Sequence, residues 1–265
     1  MRLEFLIVDP QNDFSDAPGA ALPVAGACAD AERLAQLLTR LGDRIDAIHV
    51  TLDTHQLVDI AHPVFWVDSH GQRPAPFTQI TVEDVQGGVW RTFNPQFQQR
   101  ALDYVRALRA NGRYTLTIWP PHCLIGTWGH GVIPVVAEAL RHWEEAKFAR
   151  VDYVAKGHNP WTEHYSAVQA DVPDPADPAT QLNTHLIETL KKADLVALSG
   201  QALSHCVANT VRDIADYCGE DKIHKLVLIE DTSSPVPDFE ELARQFVADL
   251  RERGMKTAKA AEFLR

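Results

Sequence analysis

Six apolar, strand-like runs alternate with six amphipathic helical stretches, and no other feature of this chain narrows its possible folds so far. The runs lie at Leu3–Asp9, Ile45–Asp53, Tyr114–Trp119, Tyr153–Lys156, Leu195–Gly200 and Leu226–Asp231. The helical patterns lie near Gly26–Leu41, Gln96–Ala110, Gly131–Phe148, Ala179–Lys192, Ser204–Tyr217 and Phe239–Arg253. Near-continuous apolar strands separated by helices mark βαβ units, whose strands are buried on both faces. The expectation is an α/β fold over residues 1–265: a single domain with a mostly parallel six-stranded sheet and helices on both faces, a Rossmann-like three-layer sandwich. Two stretches, about 62–94 and 157–178, fall outside the alternation. They read as long ordered loops over the active end or against a neighbouring subunit, and a homo-oligomer is expected from them.

Charge and cysteine usage exclude several classes of function. Lys and Arg number 25 against 36 Asp and Glu, a net charge of −11 with no basic cluster, so the electrostatic footprint of a nucleic-acid binder is missing. Met1-Arg2-Leu3-Glu4-Phe5 leads straight into a strand and resembles no secretory signal, and no apolar run approaches membrane-spanning length. A cytoplasmic protein with no membrane partner is expected. Cys28, Cys123, Cys206 and Cys218 form no CxxC pair and suit reduced thiols better than a disulfide framework.

In an open parallel sheet, ligands collect beyond the carboxyl ends of the strands. Those ends deliver Asp9; Asp53 and His55; Trp119 and His122; Lys156; and, after Ser199–Ser204, Cys206. Cys206 falls at the start of a helix, where unpaired amides and the helix dipole favour a thiolate and can hold a developing oxyanion. Alone it reads first as a small buried hydrophobe, Asp9 as a turn residue before Pro10, and Lys156 as a solvated cation. One sheet edge collecting all of them is the observation those plainer readings leave unexplained.

Spacing carries the metal expectation. Asp53 and His55, two apart in extended chain, point to the same side, and His122 arrives from the neighbouring strand end. Two imidazoles and a carboxylate form an N/O set suited to a divalent ion, Zn²⁺ foremost, with Fe²⁺ or Mn²⁺ as alternatives. The plainer alternative pairs Asp53 with His55 by hydrogen bonding alone. Phe14 and Trp119, delivered to the same sheet edge, could flank the ring of a bound ligand; core packing is the competing role for both. His130, His158 and His164 read as local polar residues.

The motifs Asp9-Pro10-Gln11-Asn12-Asp13-Phe14, Asp53-Thr54-His55, Trp119-Pro120-Pro121-His122-Cys123 with Thr127-Trp128-Gly129, Lys156-Gly157 and Ser204-His205-Cys206-Val207 run in order along most of the chain. In these it resembles the cysteine hydrolases of the isochorismatase-like superfamily, most closely the nicotinamidase/pyrazinamidase branch. The resemblance implies a metal-dependent amidohydrolase for a small pyridine-type carboxamide, nicotinamide first, working through Cys206, Asp9 and Lys156. It further implies an oxyanion hole at the amides of Ala202 and Cys206, a cis peptide at Gln201–Ala202, a substrate-binding role for His205, and a further histidine ligand near His62. A relative acting on another small amide or carbamoyl compound, and a catalytically silent ligand-binding scaffold, are the competing readings. The segment from about 62 to 116 is longer than in compact nicotinamidases, and the loop after Lys156 has no close counterpart there.

Overall fold

Leu3–Val8 is buried along its whole length, and the covering of both its faces explains the unbroken apolar run. Leu3, Phe5 and Ile7 face one core, Leu6 and Val8 the other. In the computed structural model, which describes residues 1–265, this strand (β1) sits near the middle of a six-stranded sheet. The others are β2 (Ala47–Asp53), β3 (Asp152–Lys156), β4 (Leu195–Gly200), β5 (Leu226–Ile229) and β6 (Lys256–Ala258). Their spatial order is β6-β5-β4-β1-β2-β3, and every pairing is parallel. This is the doubly wound order, with its switch point between β1 and β4, where a crevice opens beyond the strand ends.

Six helices cover the sheet: α1 (Ala27–Leu41), α2 (Gln98–Asn111), α3 (Pro134–Lys147), α4 (Thr184–Lys191), α5 (Ala208–Cys218) and α6 (Glu240–Glu252). α1 and α3 bury Leu34, Leu38, Val136 and Leu140 against one face. α2, α4, α5 and α6 bury Val105, Leu190, Val211, Ile214 and Phe246 against the other. No helix is long and apolar enough to cross a membrane.

The six-stranded parallel sheet agrees with expectation, but one of its members differs. Tyr114–Trp119 does not join it. Only Leu116–Thr117 is extended there, and it pairs antiparallel with Gln79–Ile80 outside the main sheet. The open side of β2 is taken by β3, in a register that sets Asp53 beside Lys156. The sixth place belongs to Lys256–Ala258, a three-residue edge strand too short and polar to show a buried period. Cys206 also sits differently from expectation: a five-residue π-helical turn, Leu203–Val207, carries it into α5. Such turns recur at functional sites.

Segment 62–94, expected as a loop, instead carries a short helix at Val82–Gly87 and a strand pair, Trp66–Val67 with Arg91–Thr92. Segment 62–94 contributes Phe65, Trp66, Ile80, Val82 and Val85 to the core, and segment 157–178 places Glu163, His164 and Tyr165 over the carboxyl edge of the sheet.

Candidate active site

Gly200 makes the switch point possible. It closes β4 at φ +114°, and a Cβ there would stand 1.9 Å from the Val8 carbonyl oxygen, so no other residue lets the ends of β1 and β4 approach so closely. The chain then turns through a cis peptide at Gln201–Ala202, as expected, and brings Cys206 towards Asp9. Thr51 on β2 donates its hydroxyl to Asp9 Oδ1. Lys156, at the end of β3, reaches inward with Nζ 2.9 Å from Asp9 Oδ2, 3.0 Å from Asp53 Oδ1 and 3.6 Å from Cys206 Sγ. All four side chains are buried.

Burial governs the electrostatics of this group. It disfavours charge on Lys156, but Asp53 and Asp9 outweigh it and carry the ammonium pKa well above the usual lysine value. Burial pushes Asp9 up against the pull of Lys156, and pushes the Cys206 thiol well up against the same pull. The resting sulfur is therefore a thiol, whereas the helix start alone suggested a thiolate. Desolvation of a fully buried sulfur outweighs the local dipole and the single nearby cation. An Asp9 carboxyl of raised pKa is the natural receiver of the thiol proton.

On the far side of Asp53 lies the second group. Asp53 Oδ2 stands 3.1 Å from His55 Nε2 and 3.4 Å from His122 Nε2, and the ligand atoms of all three residues lie within 4.8 Å of one another. His122 reaches the site from a loop rather than from a sheet strand. That loop is anchored by a backbone bridge, His55 N–H to the Cys123 carbonyl at 3.1 Å and Ile125 N–H to the His55 carbonyl at 3.0 Å. His122 Nδ1 donates to the Pro120 carbonyl at 2.8 Å, and His55 Nδ1 meets Asp59 Oδ2 at 3.0 Å. Both rings thereby turn Nε2 towards Asp53, the orientation an outer carbonyl or carboxylate imposes on metal-ligating histidines. His62 packs beside them, its ring tilted at 5.3 Å from His55 and edge-on at 5.7 Å from His122, with a buried Nε2 that has no hydrogen-bond partner. Burial lowers its pKa to about 4, so the ring is neutral. An orphaned imidazole nitrogen beside two others and a carboxylate is a donor set that a divalent ion fits.

A narrow cavity opens onto both groups. Of the residues singled out from sequence, Phe14, Asp53, His55, Trp119, His122, Ala202, His205 and Cys206 line it; Asp9 and Lys156 lie behind Cys206. Phe14 packs 5.4 Å from the His122 ring, and Trp119 meets His205 edge-on at 5.2 Å. Sequence reasoning missed the opposite wall. Trp119 Nε1 donates to Glu163 Oε2 at 3.1 Å and to the Tyr165 hydroxyl at 2.9 Å. Burial, helped by Asp59, raises Glu163 to about 8, and burial lowers His164 to about 3 and His205 to about 4. Burial thus favours the neutral form of each of these groups. His164, read from sequence as a local polar residue, therefore belongs to the cavity; the one available signal was the length of the loop that carries it.

No family model matches this chain, and no curated protein does. Solved structures do. The nicotinamidase/pyrazinamidase of Acinetobacter baumanii superposes with a TM-score of 0.67 at 21% identity, over 99% of this chain and 98% of that one. The chain has the isochorismatase-like fold. The yeast nicotinamidase Pnc1p follows with a TM-score of 0.66 at 20% identity, over 97% of this chain and 99% of that one. The pyrazinamidase of Pyrococcus horikoshii, solved in complex with zinc, gives 0.58 at 18% identity, over 98% of this chain and 99% of its own.

Proposed function

We propose that this protein is a cysteine amidohydrolase that cleaves a small heteroaromatic carboxamide, nicotinamide first among them, to the carboxylate and ammonia. The observation that carries the reading is Lys156 Nζ lying within reach of both Asp9 Oδ2 and Cys206 Sγ, at 2.9 and 3.6 Å, behind a cavity walled by aromatic rings. The activities named for the structures of the same fold support it.

Cys206 Sγ attacks the carboxamide carbon as Asp9 takes the thiol proton, and Lys156 steadies the sulfur as it becomes anionic. Backbone N–H groups of Ala202 and Cys206 serve the tetrahedral oxyanion. The C–N bond breaks, Asp9 returns its proton to the nitrogen, and ammonia leaves a thioester on Cys206. Asp9 then deprotonates water, which attacks the thioester carbon; the C–S bond breaks and the sulfur regains a proton. Phe14 and Trp119 hold the ring, with His205 beside Trp119. Asp53, His55 and His122, with His62 adjacent, would hold a divalent ion. Zn²⁺ suits these donors, and the zinc in the Pyrococcus neighbour supports that choice. Bound there, the ion supplies a Lewis-acidic anchor for the substrate's ring nitrogen or for water.

Ammonia release from nicotinamide, benzamide, an aliphatic amide and a carbamoyl compound tests the reading. Fastest release from nicotinamide is expected; release from none of them would overturn it.

A further inference from the structure

The motif Asp9-Pro10-Gln11-Asn12-Asp13-Phe14 assigns roles to its first and last residues and leaves three polar ones between them, all buried. Gln11 is fully buried, and its side-chain amide grips the backbone of Asp53 from both sides. Its Oε1 accepts the Asp53 N–H at 2.7 Å, while Nε2 donates to the Asp53 carbonyl at 2.8 Å and to the His130 carbonyl at 3.0 Å. The side chain thus takes the place of a neighbouring strand just where β1 has ended and β2 presents Asp53.

Asp13 does the equivalent for the other loop. Its Oδ2 accepts the Cys123 N–H at 2.7 Å and its Oδ1 the Ala21 N–H at 3.0 Å. Cys123 adopts φ +46°, a left-handed conformation that a non-glycine residue keeps only when its surroundings hold it there, and its neighbour is His122. Gly129 leaves the room: a Cβ there would stand 2.0 Å from Asp13 Oδ2. Asn12 Nδ2, donating to the Trp128 carbonyl at 2.8 Å, closes the same loop.

We infer that Gln11 and Asp13 are positioning residues for the divalent-ion site, Gln11 setting Asp53 and Asp13 setting His122, so that the loop carrying the general base also holds the ion's ligands in register. The inference rests on the proposed ion site and adds to it the residues that shape it. Outer-shell partners of this kind commonly change metal affinity by about 10–100-fold.

Two isosteric substitutions isolate the effect. Gln11→Glu turns a donor facing two carbonyls into an acceptor, and Asp13→Asn leaves one oxygen for two N–H groups. Zn²⁺ affinity is measured by chelator competition on the full chain. The thermal midpoint is read with and without the ion, and Gln11→Ala and Asp13→Ser stand by should either isostere fail to fold. The expected result is Zn²⁺ binding weakened at least about tenfold in each variant, with a smaller ion-induced rise in midpoint than the parent shows. A purely structural role would lower the ion-free midpoint and leave affinity within about twofold, and that result would overturn the inference. A parent that binds no Zn²⁺ would overturn the ion site itself, and this inference with it.

Discussion

Lys156 Nζ stands 3.0 Å from one oxygen of Asp53 while the other oxygen of Asp53 faces His55 and His122. A single carboxylate therefore serves both the candidate catalytic group and the candidate ion site. Burial opposes its ionisation, but His55 and Lys156 outweigh it and hold the Asp53 carboxyl well below its usual range. Removing one partner from a buried ion pair costs about 3–5 kcal/mol. Asp53→Ala should lower unfolding stability by about that amount, abolish ion binding and stop turnover. Denaturant titration with metal analysis checks this; a variant as stable as the parent would separate the two groups.

Lys156 should be felt at the sulfur. It is the largest influence drawing the Cys206 pKa downward against burial. Lys156→Met should therefore slow alkylation of Cys206 by iodoacetamide at neutral pH, with mass spectrometry reporting the site. An unchanged rate would mean that the ammonium does not steady the thiolate.

Chelation addresses the ion separately. Its assigned part is to orient substrate, not to create the nucleophile, so removing it should raise KM or abolish turnover while Cys206 still alkylates. Full activity on nicotinamide in protein shown to be free of metal would refute the assignment.

Away from the site, His49 lies between Glu4 and Asp152, its ring nitrogens 3.3 and 2.8 Å from their oxygens. Burial disfavours the charged ring, but the two carboxylates outweigh it and raise its pKa. A basic group raised on folding contributes fully below its unfolded value, about 6.5, and loses that contribution as pH climbs through the folded value. Glu4 has the opposite sign. Burial opposes its ionisation, His49 and Arg2 prevail and lower its pKa, so its contribution holds above about 4.5 and fades as pH falls. The stability lost in His49→Gln should thus be larger near pH 6 than near pH 9, read from urea midpoints; equal losses at both would show that His49 is uncharged in the fold.

These relations were unequally legible in the sequence. β1, β2, β4 and β5 showed as buried runs because parallel strands covered on both faces have little reason to be polar. The ends of β1, β2 and β4 pointed to Asp9, Asp53 and Cys206, and the short run at β3 ended on Lys156. Lys256–Ala258 did not show, because a three-residue edge strand has no period. Tyr114–Trp119 misled, because its apolar side chains serve a loop that packs above the sheet. Glu163 and Tyr165 were invisible: an irregular loop gives its polar residues no face, and only tertiary packing aims them at the cavity. The protonation of Cys206 could not be read either, since motif position reports the helix start and says nothing of burial.

Whether Cys206 carries the acyl group is read by rapid-quench mass spectrometry of the protein mixed with nicotinamide, beside ammonia release from Cys206→Ala. A transient acyl adduct on Cys206 is expected in the parent, together with a loss of turnover of about a thousandfold or more in Cys206→Ala, while Cys28→Ala and Cys218→Ala stay close to the parent. A Cys206→Ala protein that keeps even about a tenth of parental turnover would contradict it, because losing an essential nucleophile removes most of the catalytic gain.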